Sequence, residues 1–243
     1  MSLATGLHFW WPSMGSHRTA ESMKTMAKKK RQTGYSTLEM LVVVAMSLVI
    51  TAIAVPGYVK VTAYLRAISD LRAVNGITAQ AKMRAAADFT HARIYANLTA
   101  NTYHLELWNK AGNGGAGCWQ TDGDTNACTA NGSPVIKLST GVTFGTGSVT
   151  AGPTVGTATV AQAAVCNTKA AGISGNGTTA STACVEFNSR GIPVDSTNAP
   201  VATGAIYINN ANQVEVVTVS ATGSIQPWLA TPTCNAASCW HGQ

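Results

Sequence analysis

Six cysteines, five histidines and one carboxylate set in an apolar run are the residues of this chain with chemistry to offer. The cysteines stand at Cys118, Cys128, Cys166, Cys184, Cys234 and Cys239. None forms a C-x-x-C pair, and no cluster has metal-ligand spacing. An even number in an exported domain favours disulfides. Proximity along the chain favours Cys118–Cys128, Cys166–Cys184 and Cys234–Cys239, but six cysteines allow 15 pairings and buried free thiols remain the alternative. The histidines are His8, His17, His91, His104 and His241, none beside a carboxylate or nucleophile in a recognisable motif. "DGDTN" at 122–126 is half of a calcium loop without its trailing glutamate; a turn is the better reading. "GNGGAG" at 112–117 follows a strand pattern but opens no helix, which argues against a phosphate loop. Asn97-Leu98-Thr99 and Asn131-Gly132-Ser133 match a glycosylation triplet by a pattern common by chance. The expectation is a protein without catalytic residues, bound metal or cofactor.

The carboxylate is Glu39. From Tyr35 to Val55 run 21 residues with this single charge. A helix of that length spans about 31 Å, close to a hydrocarbon core of about 30 Å. A charge in that phase costs about 2.5–3.5 kcal/mol, so it points to function unless Glu39 reaches the headgroups at the interface. Arg18, Lys24, Lys28, Lys29, Lys30 and Arg31 against Glu21 give residues 1–34 a net charge of +5, and the remaining 209 residues carry +1. The chain's +6 is therefore a property of its leader and poor grounds for nucleic-acid binding elsewhere. The bases precede the apolar run, which places the N-terminus in the cytoplasm and the remainder outside. A secretory signal peptide would put its small-residue cleavage site after the apolar run, whereas Thr33-Gly34 comes before it. Of the methionines Met1, Met14, Met23 and Met26, a start at the last leaves the short leader MAKKKRQTG.

Pro56-Gly57 predicts a kink or local melting of the helix. Beyond it Val61, Leu65, Ile68, Leu71, Val74 and Ile77 recur in steps of three or four. Strong helix formers then carry the pattern to about Tyr95, so one helix is expected over 35–97, membrane-spanning over 35–55 and amphipathic over 56–97. Residues 98–243 read as a mainly antiparallel β domain of five to seven short strands. "TYHLELW", "VIKLSTGVTFG", "TATVAQAAVC", "ACVEFNS", "GAIYINN" and "QVEVVTVSATGSI" are the candidates, with a long loop from 109 to 134 and a hairpin turn at Asn209–Asn212. The fold class is α+β: a long N-terminal helix packed on a C-terminal β domain.

The string "G-YSTLEMLVVVAMSLVITAIAVPGY" resembles the N-terminal signal of type IV prepilins and type II secretion pseudopilins: basic leader, glycine, aromatic residue, threonine, aliphatic, glutamate, long apolar helix. Gly34 would close the leader of residues 1–34, Tyr35 would open the mature chain, Glu39 would be its fifth residue and Pro56 its twenty-second. The resemblance implies cleavage between Gly34 and Tyr35 by a prepilin peptidase, N-methylation of Tyr35, and pairing of Glu39 with the amine of a neighbouring subunit. Phe187, Gly191, Ile206, Ile208, Val217, Val219, Gly223 and Ile225 further resemble the closing strands of the GspH/FimT group, while residues 109–183 depart from that group's pattern.

The function implied is that of a non-enzymatic minor pilin or pseudopilin, held single-pass in a bacterial inner membrane and then in a pilus or secretion pseudopilus. Its implied partners are the prepilin peptidase, other pilins, the assembly platform and membrane lipid. The alternative is a FimT-like subunit that binds DNA for uptake. After Arg190 the chain has no Lys or Arg, and phosphate binding needs cations. Trp228 and Trp240 could stack on bases but read better as packing around the Cys234–Cys239 loop.

Overall fold

Helix formers and an apolar stretch free of Gly-Pro clusters before residue 56 set the first element of this computed structural model, which describes residues 34–124, 128, 134–201 and 203–243. The leader up to Thr33, with His8 and His17, lies outside the described residues, as do Thr125 and Asn126 of the calcium-like loop and the Asn131–Ser133 triplet. The chain divides into two compact units, the first ending at Leu48 and the second running from Val49 to Gln243. Helix α1 is Thr37–Ala87. In the first unit its side chains are all exposed. In the second the helix continues across Pro56-Gly57 without a break, so the expected local melting is absent. Proline removes one donor, and the turns on either side still carry their own bonds.

The helix ends at Ala87, short of the expected Asn97. Phe89 adopts a left-handed conformation (φ 48°) and the Thr90 hydroxyl donates to the Trp108 carbonyl. Residues 92–97 then form strand β1 (Ala92–Asn97), which pairs along its length on both sides. Two full ladders and the β-favouring Ile94 and Tyr95 outweigh the helix propensity of the alanines and arginine. The other long strands are β2 (Thr102–Asn109), β3 (Cys118–Thr121), β4 (Thr182–Phe187), β5 (Thr203–Asn209), β6 (Val214–Ser220) and β7 (Ile225–Ala230). These seven are joined, among the described residues, by eight two-residue strands. Strand β3 falls inside the stretch expected to be loop.

All pairings are antiparallel. One sheet runs Pro193–Val194, β4, β1, β2, β3, with Ile136–Lys137 also on β2; the other runs His241–Gly242, β7, β6, β5, Thr143–Phe144. The β5–β6 hairpin turns at Asn210–Gln213, where the Asn210 side chain accepts from the amides of Asn212 and Gln213.

Alternation divides each sheet into two buried faces. One core joins Ile94, Leu105, Val185 and Phe187 of the first sheet, Ile206, Ile208, Val217 and Val219 of the second, and the second half of α1. The helix seam is Ala67, Leu71, Val74, Thr78, Ala81 and Ala85, with Asp70 beside it. Of the six stripe residues expected from periodicity only Leu71 and Val74 are fully buried; Val61 and Leu65 are exposed. Small residues at the seam let the helix backbone approach the sheets closely. The opposite faces are covered by excursions of the chain. Ala170 and Ile173 pack on Trp108 and Trp119 of the first sheet; Val149, Val160, Cys234 and Trp240 pack on Tyr207, Val214 and Val216 of the second.

Candidate functional site

Gly34 and Tyr35 are exposed and lie outside any helix or strand just ahead of α1, and nothing stands within 4 Å of where a Gly34 side chain would begin. Ser36 caps the helix: its hydroxyl accepts from the Leu38 amide at 3.3 Å. Glu39 sits in the first turn, three residues after the cap, the spacing of a capping box and the end of the helix that favours a negative charge. So Ser36 is a functional element the sequence reading passed over, and the S-x-x-E spacing was the signal for it. Helix α1 is long and apolar enough to cross a membrane, and its most apolar window is not buried against the rest of the chain.

The six cysteines form Cys118–Cys128, Cys166–Cys184 and Cys234–Cys239, the pairs that proximity favours. Trp240 is buried beside the third bridge and donates its indole N–H to the Ala151 carbonyl; the Trp228 indole donates to the Thr218 hydroxyl. Both are packing residues. Asp122 of the calcium-like loop is taken by Arg84 at 2.7 Å. The Gly-rich run makes one short turn at Asn113–Gly115 and leads into β3 rather than a helix.

Phe187, Gly191, Ile206, Ile208, Val217, Val219, Gly223 and Ile225 converge. Five are buried in the central core and Ile225 packs against it. Gly191 and Gly223, both at positive φ (71° and 75°), meet beneath Lys82 of α1, whose ammonium donates to the Gly223 carbonyl at 2.9 Å. A side chain at either position would be strained by the backbone and would press on the lysine or on the Gly191 carbonyl.

Two clusters of buried ionisable groups were missed by sequence reasoning. On the covered face of the first sheet, register places Arg93, Glu106 and Glu186 side by side across β1, β2 and β4. Arg93 Nε donates to Glu106 at 2.5 Å, the guanidinium lies 3.9 Å from the Trp119 ring, and His104 Nε2 is 3.2 Å from Glu106. His91 Nδ1 lies 2.9 Å from Glu186, which accepts the Ala171 amide at 2.7 Å. Burial pushes the Glu106 carboxyl up, but the His104 hydrogen bond and the Arg93 charge outweigh it and hold it below the usual carboxylate range. Burial draws Arg93 down against the pull of Glu106; a guanidinium stays charged regardless. His104 and Glu106 two apart in "TYHLELW" were the readable signal, but Arg93 was assigned to a helix. The second cluster pairs Glu215 of β6 with Asp70 of α1. Burial, then Asp70, pushes the Glu215 carboxyl up to about 8.

A cleft of about 570 Å³ lies between Ala161–Val165 and Pro193–Ser196, and no histidine lines it. No protein-family model, no curated protein and no solved structure matches this chain.

Proposed function

We propose that this chain is a structural subunit of a filament, a minor pilin or pseudopilin with a GspH/FimT-type β domain, processed between Gly34 and Tyr35 and assembled through α1. The observation that carries the reading is the exposed Gly34–Tyr35 bond directly before a Ser36-capped apolar helix with Glu39 in its first turn. Glycine admits the backbone to a tight active site, and cleavage leaves an α-amine of pKa about 8 next to the apolar phase. That cation and the Glu39 carboxylate neutralise each other between neighbouring subunits. The pair adds little raw stability but penalises wrong registers, where either charge would be buried alone. Three disulfides agree with a β domain outside the cytoplasm, with the basic leader inside.

Replacing Gly34 with leucine in the native host blocks processing, so the chain keeps its full length on a gel and no methylated Tyr35 terminus is found by mass spectrometry. A shortened chain cut at that bond would remove the cleavage claim. Glu39→Val leaves processing intact and depletes the subunit from sheared filaments; wild-type incorporation of that variant would remove the pairing role.

A further inference from the structure

The β5–β6 hairpin grips the helix where its exposed part meets its buried seam. The Asn210 side-chain amide donates to the Ala63 carbonyl at 3.0 Å. Gln213 Nε2 donates to the Tyr64 carbonyl at 3.3 Å and also to Glu215 Oε1. One amide nitrogen thus forks between the helix backbone and a carboxyl group. Glu215 is wholly buried (0% exposed) on the face of β6 that looks toward α1, with Val217 and Val219. Its second oxygen has no hydrogen-bond partner among the described residues. The helix presents Asp70 toward it, held in turn by the amide and hydroxyl of Ser139. Its cross-strand neighbours, Ile208 on β5 and Leu229 on β7, carry no charge. Arg66 and Arg72 lie at exposed positions of α1, and the groups acting on Glu215 among the described residues include no cation.

We propose that the Asn210–Glu215 hairpin is a proton-operated clasp: with Glu215 neutral it holds Ala63 and Tyr64 of the helix against the β domain, and loss of that proton loosens the joint. A neutral acid keeps Gln213 aimed at the helix and tolerates Asp70 nearby. An ionised one places two carboxylates in a dry site with no cation, an arrangement that burial penalises strongly. The direction follows from the buried, half-unpartnered carboxyl beside Asp70, which favours the protonated form. A carboxyl whose folded value lies above its unfolded value stabilises the closed joint fully below about 4.5 and progressively less up to about 8. The β domain therefore grips the helix most firmly in acid and lets it move as the surroundings become alkaline.

Hydrogen exchange of the full-length chain in detergent micelles, followed at residues 58–68 and expressed as protection factors from pH 5 to pH 9, tests this. In the wild type, protection at 58–68 falls with rising pH by at most tenfold per unit, while protection of β1 holds. Glu215→Gln keeps the fork geometry without a titrating proton and makes the profile flat. Asp70→Asn moves the midpoint toward acid. Gln213→Ala lowers protection at every pH, which separates loss of the clasp from loss of the proton. A wild-type profile that is flat, or a Glu215→Gln profile that matches the wild type, overturns the proposal.

Discussion

At the residue scale, the Arg93–Glu106 contact is a buried ion pair whose loss is costly. Both residues are about 95% buried or more, and the guanidinium lies against the Tyr95 and Trp119 rings. Glu106→Gln removes the carboxylate hydrogen-bonded to that cation and leaves it only the charge of Glu186, and breaking one partner of a buried pair costs up to about 3–5 kcal/mol. The pH dependence has a fixed sign. Glu106 is held below its ordinary value by His104 and Arg93 against the opposing effect of burial. Its contribution is therefore present above the unfolded carboxylate range and is lost as pH falls through the folded value. Urea denaturation of wild type and Glu106→Gln at neutral and acid pH measures this: the gap between the two narrows in acid. A gap that stays constant, or widens, contradicts the assignment. Glu215 has the opposite sign and acts at the helix joint, so the two carboxylates respond to pH in different directions at different places.

Between elements, the decisive contact is the helix seam, and it discriminates between residues that look alike in sequence. Leu71 is 3% exposed and Leu65 is 57% exposed, although both sit on the same three-and-four pattern. In detergent-solubilised protein Leu71→Ala costs about 2–5 kcal/mol through lost contacts and a cavity. Leu65→Ala stays within about 0.5 kcal/mol, as for other surface changes. Equal effects in chemical denaturation would place the seam elsewhere. Periodicity could show that α1 continues past Pro56 but not which stripe faces the sheets, because Ala67, Ala81 and Ala85 give no hydrophobic signal of their own. It failed at Ala92–Asn97 for a related reason. Four of those six residues favour helix or are neutral, and the two ladders that make β1 a central strand come from residues 102–107 and 182–187. By contrast, β2, β5 and β6 alternate cleanly and were legible, as was the Asn210 turn. Among the candidate site residues, the cap-to-Glu39 segment is local and readable, whereas the Arg93 and Glu215 clusters exist only through pairing register.

For the molecule as a whole, exposed large apolar side chains concentrate from Tyr35 to Leu65; beyond that only Met83, Phe89, Val135, Ile136 and Val165 are exposed among the described residues. The β domain achieves this by covering both outer sheet faces with chain excursions, each tied by a disulfide. Much of residues 109–183 is covering, and its conformation is set by distant partners on the sheets. The covers differ in what holds them. The Cys166–Cys184 bridge closes 18 residues and lies beside the segment over Arg93, Trp108 and Trp119, while Cys234–Cys239 closes only 5. Chain-entropy reasoning gives about 3 kcal/mol for a loop of the first size and about 2 for the second. Replacing both Cys166 and Cys184 with alanine therefore lowers stability more than the Cys234/Cys239 double replacement. The first also shifts the emission of Trp108 and Trp119 to the red in the folded state, because Asn167 and Ala171 then hold their cover through contacts to Arg93 and Glu186. Denaturant midpoints and emission spectra of the two variants decide the matter. A larger loss from the C-terminal pair, or unshifted emission in the first variant, would mean that the buried ion cluster rather than the bridge keeps the cover closed.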